Sequence, residues 1–236
     1  MKIRINVIVP LLILTAATAA WSQQPDGGAQ QRASDLKQSI AANRARLMKY
    51  QWMQTTQVSI KGETKKDSTD MCHYGPDGKV VKTPVGPESP QQQPPQHGLK
   101  GRIVQKKVSE MKDYTERLKS LVSHYAPPDP EMIQNAIQSG NVSLNVAGGI
   151  ATVTFNNYYK PGDKVAFALD TATKKPRSYN VNTYLDDPKN DIVTLANQFA
   201  SLPDGTNYVQ QTVLDAQGKQ IQVTTTNSNY TPVGQQ

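Results

Sequence analysis

Three features of the chain predict an α+β protein: a strongly curved antiparallel sheet, a half-barrel or incomplete barrel, with helices covering the concave face. After Gly140, apolar and polar residues alternate in one short run after another, which is the two-residue period of half-buried strands. The runs are joined by brief turn sequences, "GG", "KPGD", "ATKKP", "DDPKND", "LPDGT" and "DAQGK", and connections that short make neighbouring strands antiparallel. Upstream lie amphipathic helical patterns, and a sheet with one apolar face needs such a cover.

Residues 1–22 open with Lys2 and Arg4, continue with an apolar run from Ile5 to Leu14, and end in small residues. This is the layout of a secretory signal peptide. The run is about half of the roughly 20 residues that a membrane-spanning helix needs. Cleavage is expected near Ala20–Ser22, leaving a periplasmic or secreted protein with no transmembrane anchor. Residues 23–33, rich in Gln and Gly, read as a flexible tether. Residues 34–236 read as a single α+β domain carrying a Pro/Gln-rich loop at 84–97.

Within that domain, Ser34 is a suitable N-cap for a first helix with Leu36, Ile40, Leu47 and Tyr50 on one face. Val58 and Ile60 then alternate with polar neighbours as in a strand. "Gly-Pro-Asp-Gly" at 75–78 is a tight-turn sequence, which places hairpin arms at about 68–74 and 79–83. From Pro84 to Gln96 five prolines and four glutamines preclude both ladder and packed helix. Val104, Val108, Met111, Leu118, Leu121 and Tyr125 make the apolar stripe of a long helix ended by Pro127 and Pro128. Asp129 and Pro130 then read as the N-cap and first position of a short helix that ends at Gly140.

Catalytic chemistry finds little purchase. The single cysteine, Cys72, has His73 beside it, but neighbouring side chains on a strand point to opposite faces. They cannot form a nucleophile–base pair, which needs hydrogen-bond contact. Cys72 is expected to be a half-buried small apolar residue. No Cys/His spacing suits zinc. "LDDPKND", with Asp186, Asp187, Asn190 and Asp191, lacks the regular oxygen ligands of a calcium loop and reads as a solvated turn. Neither phosphate-cradling glycines nor a Gly-x-Ser-x-Gly elbow is present. No catalytic residue, metal or cofactor is therefore assigned.

Charge bears on partners. Loss of Lys2 and Arg4 would lower the formal net charge from +7 to +5, an ordinary value for a soluble domain and compatible with anionic headgroups. No nucleic-acid-reading motif accompanies it. The function expected is that of a non-enzymatic binding protein holding an acyl chain or other apolar ligand on the concave face. Burial of each methylene is worth about 0.8 kcal/mol, so no catalytic group is needed. Phe155, Phe167, Leu169, Val181, Val193, Leu195 and Phe199 are the residues placed on that face, where plain core packing is the alternative for each. Arg102, Lys106 and Lys107 on the long helix are candidates for headgroup contact. The alternative function is an envelope interaction or regulatory module with no ligand cavity, its Pro/Gln-rich loop or wet sheet face meeting another protein.

The order of helix, hairpin strands, helices and long meander resembles the lipoprotein localisation factor superfamily of bacterial envelopes, the LolA/LolB-like half-barrels. That resemblance implies lipid or lipoprotein acyl chains as partners. The phrases "YQWMQTTQVSIKGETKK", "YGPDGKVVKTPVG", "NYYKPGDKVAFALD" and "LPDGTNYV" resemble a family of exported bacterial proteins of unassigned function. Neither resemblance assigns a role to a particular residue.

Overall fold

A computed structural model describes residues 41–86 and 98–234 of the chain, with side chains from 105 onward in the second segment. The expected signal peptide, the tether, Ser34, Leu36, Ile40 and most of the Pro/Gln-rich loop lie outside the described residues.

Among the described residues ten strands form one antiparallel sheet. A short helix α1 (41–47) leads into β1 (Tyr50–Ile60), β2 (Glu63–Tyr74) and β3 (Val80–Pro84). Two helices follow, α2 (Gly98–Ser123) and α3 (Pro130–Gln138). Then come β4 (Val142–Ala147), β5 (Ile150–Asn156), β6 (Lys164–Asp170), β7 (Pro176–Tyr184), β8 (Ile192–Ser201), β9 (Asn207–Ala216) and β10 (Ile221–Pro232). The strand order is β3-β2-β1-β10-β9-β8-β7-β6-β5-β4. The meander runs unbroken from β4 to β10, and β10 is completed by pairing with β1 from the N-terminal hairpin. The α+β class and the antiparallel meander are as the sequence predicts. Among the described residues the sheet is open, however: β3 and β4 are its two ends and do not pair.

Local chemistry explains the turns and caps. Gly148 and Gly149 join β4 to β5 with φ of 56° and 76°, the pair of positive angles that a two-residue hairpin turn requires and that glycine adopts freely. The Asp129 carboxylate accepts from the Glu131 backbone N–H at 2.8 Å, with Pro130 opening α3, as the sequence predicts.

One face of the sheet holds the core. Tyr114, Leu118, Leu121 and Tyr125, on α2 and just after it, join Ile133 and Ala136 of α3 in covering inward residues of β5 through β10. Val58 and Ile60 of β1 pack against the same cluster. The opposite face carries Thr152, Thr154, Asn180, Asn182, Thr194, Gln198, Gln211 and Gln222, all exposed or half-exposed. Burial of apolar area on one face only, at about 25 cal/mol per Å², accounts for this division.

Two assignments need correction. Tyr50 does not continue the α1 stripe but is the first residue of β1. Its β-favouring neighbours Trp52, Thr55, Thr56 and Val58 extend the strand back from where alternation becomes obvious. On β9, where the alternation sets Val209 and Val213 on one apolar face, Val209 is buried but Val213 lies half-exposed on the outer face, and Thr212, Leu214 and Ala216 point inward. The pairing of Gln198 with Gln211 but Phe199 with Val209 inserts one extra residue, and such a bulge reverses which positions face the core.

Candidate functional site beneath the long helix

The seven residues proposed from sequence for the ligand face occupy four consecutive strands: Phe155 on β5, Phe167 and Leu169 on β6, Val181 on β7, and Val193, Leu195 and Phe199 on β8. Register brings them together. Val181 lies between Val165 and Leu195, and Leu195 faces Leu214. Phe155 and Phe167 meet edge-to-face at 6.4 Å, and Phe167 contacts Tyr179 at 4.5 Å. Phe155, Phe167, Val181, Val193 and Leu195 belong to the main core cluster, and Phe199 packs against it partly buried. Leu169 is buried as well but stands outside that cluster, opposite Ala151.

Little space remains among them. A cavity lined by Val122, Tyr125, Val181, Thr183, Val193 and Leu195 measures about 10 Å³, room for at most a single water. Of the basic residues proposed for headgroups, Lys106 and Lys107 are exposed on α2. The side chain of Arg102 lies outside the description.

Two buried tyrosines fasten the helical layer to the sheet. The Tyr114 hydroxyl of α2 donates to Asp191 Oδ1 at 2.6 Å, just ahead of β8. Tyr125, just beyond α2, donates to Asp163 Oδ2 at 2.6 Å and meets the Thr183 hydroxyl at 2.8 Å. Asp163 is only 1% exposed. It also accepts backbone N–H bonds from Tyr158, Tyr159 and Lys160 at 2.5, 3.0 and 2.8 Å. A buried carboxylate is costly unless it is so satisfied, and here the β5–β6 turn wraps it in donors. Tyr179 adds a 2.5 Å bond to the Tyr125 carbonyl. Burial first, and the neighbouring carboxylates second, push the Tyr114 and Tyr125 hydroxyls well above the ordinary tyrosine range. Such groups keep their protons and act as donors.

Sequence reasoning missed these anchors. The sequence predicts a solvated turn at 185–191, and its first part is one: Asp187 caps the Lys189 N–H at 2.8 Å, and Asp186 pairs with Arg117 at 2.7 Å on the surface. Asp191 is instead buried. The available signal was a tyrosine, Tyr114, at an apolar position of the helical stripe, since a buried hydroxyl demands a partner.

A second cluster lies where β1, β2, β9 and β10 meet α1. Trp52 stacks on Tyr230 with centroids 5.5 Å apart and packs against Tyr74 at 5.4 Å, while Tyr208 contacts Tyr230 at 4.4 Å. Asn227 Oδ1 accepts from Trp52 Nε1 at 3.1 Å and Gln54 Nε2 at 2.8 Å. Asn43 of α1 makes paired bonds to the Asn207 backbone at 3.0 and 2.8 Å, and Arg44 donates to the Gly78 carbonyl at 3.2 Å. The helix thus ties the β2–β3 turn to the start of β9.

Cys72 sits in this region with no exposure, opposite Trp52. It is more buried than expected, because it lies on the inward face of β2. His73 is on the other face, opposite Gln51. Burial pushes the Cys72 thiol up to about 11, so it stays protonated at neutral pH, the unreactive form. Among the described residues no group of three or more His, Cys, Asp or Glu side chains is placed to hold a metal ion. Nor is any described helix long and apolar enough to cross a membrane.

These features define a one-sided antiparallel sheet with a helical cover, the described cavity beneath α2 being about 10 Å³. In comparisons with family models and with curated proteins, the chain matches none.

Proposed function

We propose that the protein is a non-enzymatic, exported interaction module, whose interior is occupied by its own side chains and whose surfaces do the binding. The observation that carries this reading is the size of the cavity beneath α2, about 10 Å³. An acyl chain has no place there while α2 stays seated. The surface on offer is the Thr/Asn/Gln face of the sheet, and the sequence adds a proline-rich segment at 84–97. A proline-rich segment loses less entropy on docking than a flexible one.

A specific arrangement favours a second reading, the acyl carrier. Val181, Val193 and Leu195 line that cavity directly below Val122 and Tyr125, so displacement of α2 would bare the apolar strip proposed from sequence. In that reading the sheet curls around its guest as an incomplete barrel, and Lys106 and Lys107 meet anionic headgroups.

One experiment separates the two. The protein is purified from its native compartment, extracted with organic solvent and assayed for lipid by mass spectrometry, with displacement of a fluorescent fatty acid as a second readout. The interaction module predicts an empty extract and no displacement. Stoichiometric lipid overturns it in favour of the carrier.

A further inference from the structure

The two edges of the sheet are built differently. β3, at one end, is five residues long and contains Lys82 and Pro84, both of which discourage pairing with another strand. β4, at the other end, has the sequence Val-Ser-Leu-Asn-Val-Ala, with neither charge nor proline, and among the described residues its ladder partner is β5 alone. Leu144 and Val146 are 37% and 59% exposed there, and Ile137 of α3 is 47% exposed. α3 lies against β5, next to this edge. From Met132 to Tyr159 the chain has 28 residues without one Asp, Glu, Lys, Arg or His. In a chain of net charge +7, this is the edge where two copies would meet with least repulsion.

The pattern of β4 is also symmetric. Val142, Leu144 and Val146 share the inward face, because their partners on β5 are Phe155, Val153 and Ala151. Antiparallel pairing of β4 with its own copy about Leu144 sets Val142 against Val146, Leu144 against Leu144 and Ser143 against Asn145. The three inward apolar residues then meet apolar ones and the two polar residues meet each other, while Ala147 at the strand end faces Asn141. A two-fold interface requires such self-complementarity. We propose that β4 is a homodimerisation edge, joining two sheets into one continuous twenty-stranded sheet with its two-fold axis at Leu144. A contact built on one six-residue strand is expected to fall short of the roughly 800 Å² per partner of a standard stable interface, so the dimer is a reversible one. The proposal does not depend on what fills the interior.

Sedimentation velocity of the purified protein, from low micromolar to near-millimolar concentration, is expected to show a reversible monomer–dimer equilibrium. Leu144→Lys and Val146→Lys, at exposed positions that leave the fold intact by circular dichroism, should each weaken it at least about tenfold, the first by setting like charges directly against each other at the axis and the second by pressing an unpaired charge against Val142 of the other copy. Val81→Lys, on the guarded edge, should leave it unchanged. The register has its own test. Leu144→Cys should give a disulfide-linked dimer on mild oxidation, because directly opposed residues lie within disulfide reach. Val146→Cys should not, because its copies would stand about 13 Å apart along the strands. A monomer at every concentration, or a dimer indifferent to both lysine substitutions, overturns the proposal. A Val146→Cys cross-link as efficient as that of Leu144→Cys overturns the register.

Discussion

The Tyr125 hydroxyl donates to the Asp163 carboxylate over 2.6 Å, joining the chain just past α2 to the turn between β5 and β6. Both residues are almost wholly buried. The bond is therefore made where solvent cannot replace it, and a buried hydrogen bond to a charged group contributes about 1.5–3 kcal/mol. Tyr125→Phe should lower unfolding free energy by an amount in that range, measured by urea denaturation. Asp163→Ala should cost more, because it also orphans the backbone donors of Tyr158, Tyr159 and Lys160. In the double variant, a loss smaller than the sum of the two would measure their coupling.

Alkali should unfold the protein in step with tyrosine ionisation. Tyr125, Tyr179 and Tyr230 are all pushed up, chiefly by burial, and Tyr158 is pushed up to about 12 by the same cause. In the unfolded chain each would ionise near pH 10. Above about that pH the unfolded state binds fewer protons than the folded one, so stability falls as pH rises. It is fully present below that point and lost as the folded-state values are approached. Absorbance at 295 nm and circular dichroism, followed together, should change in one cooperative step. Tyrosinate formation complete before any loss of structure would contradict this.

Gly218 should tolerate no side chain. A Cβ there would lie 2.2 Å from Asp191 Oδ1 and 2.7 Å from its Cγ, displacing the carboxylate that Tyr114 reaches. Gly218→Ala is expected to cost about 1–3 kcal/mol, the usual penalty of overpacking. Part of that cost should vanish in a Tyr114→Phe background, which thermal melting of the four proteins of the cycle would reveal.

Cys72 should be inert until the protein opens. Buried and protonated, its thiol should react with Ellman's reagent only at the rate at which β2 becomes exposed, and rapidly in denaturant. Fast labelling of the folded protein at neutral pH would contradict the position of Cys72 beside Trp52.

Much of the architecture could be read from local pattern. The alternation Ala151/Val153/Phe155 and Val165/Phe167/Leu169 is strict, and those residues are all buried on one face. The Asp129–Pro130 cap is a matter of two adjacent residues and needed no tertiary information. Val213 was misplaced because a bulge is a property of a pair of strands: nothing within β9 alone announces that Phe199 pairs with Val209. Asp191 and Asp163 were misplaced or overlooked for a related reason. Short turns rich in Asp look alike whether water or a distant tyrosine satisfies the carboxylate.

What the sequence determined by itself, then, was which residues seek burial and at what period: the stripe of the long helix, a meander, one wet face and one dry. Those choices follow from hydrophobic alternation and turn chemistry, which act between near neighbours. The tertiary structure decided how the sheet ends, with β1 completing β10 and leaving β3 and β4 as open edges. It also decided how full the interior is. Both depend on how surfaces far apart in the chain fit together, and on side-chain volumes summed across α2 and the strands beneath it.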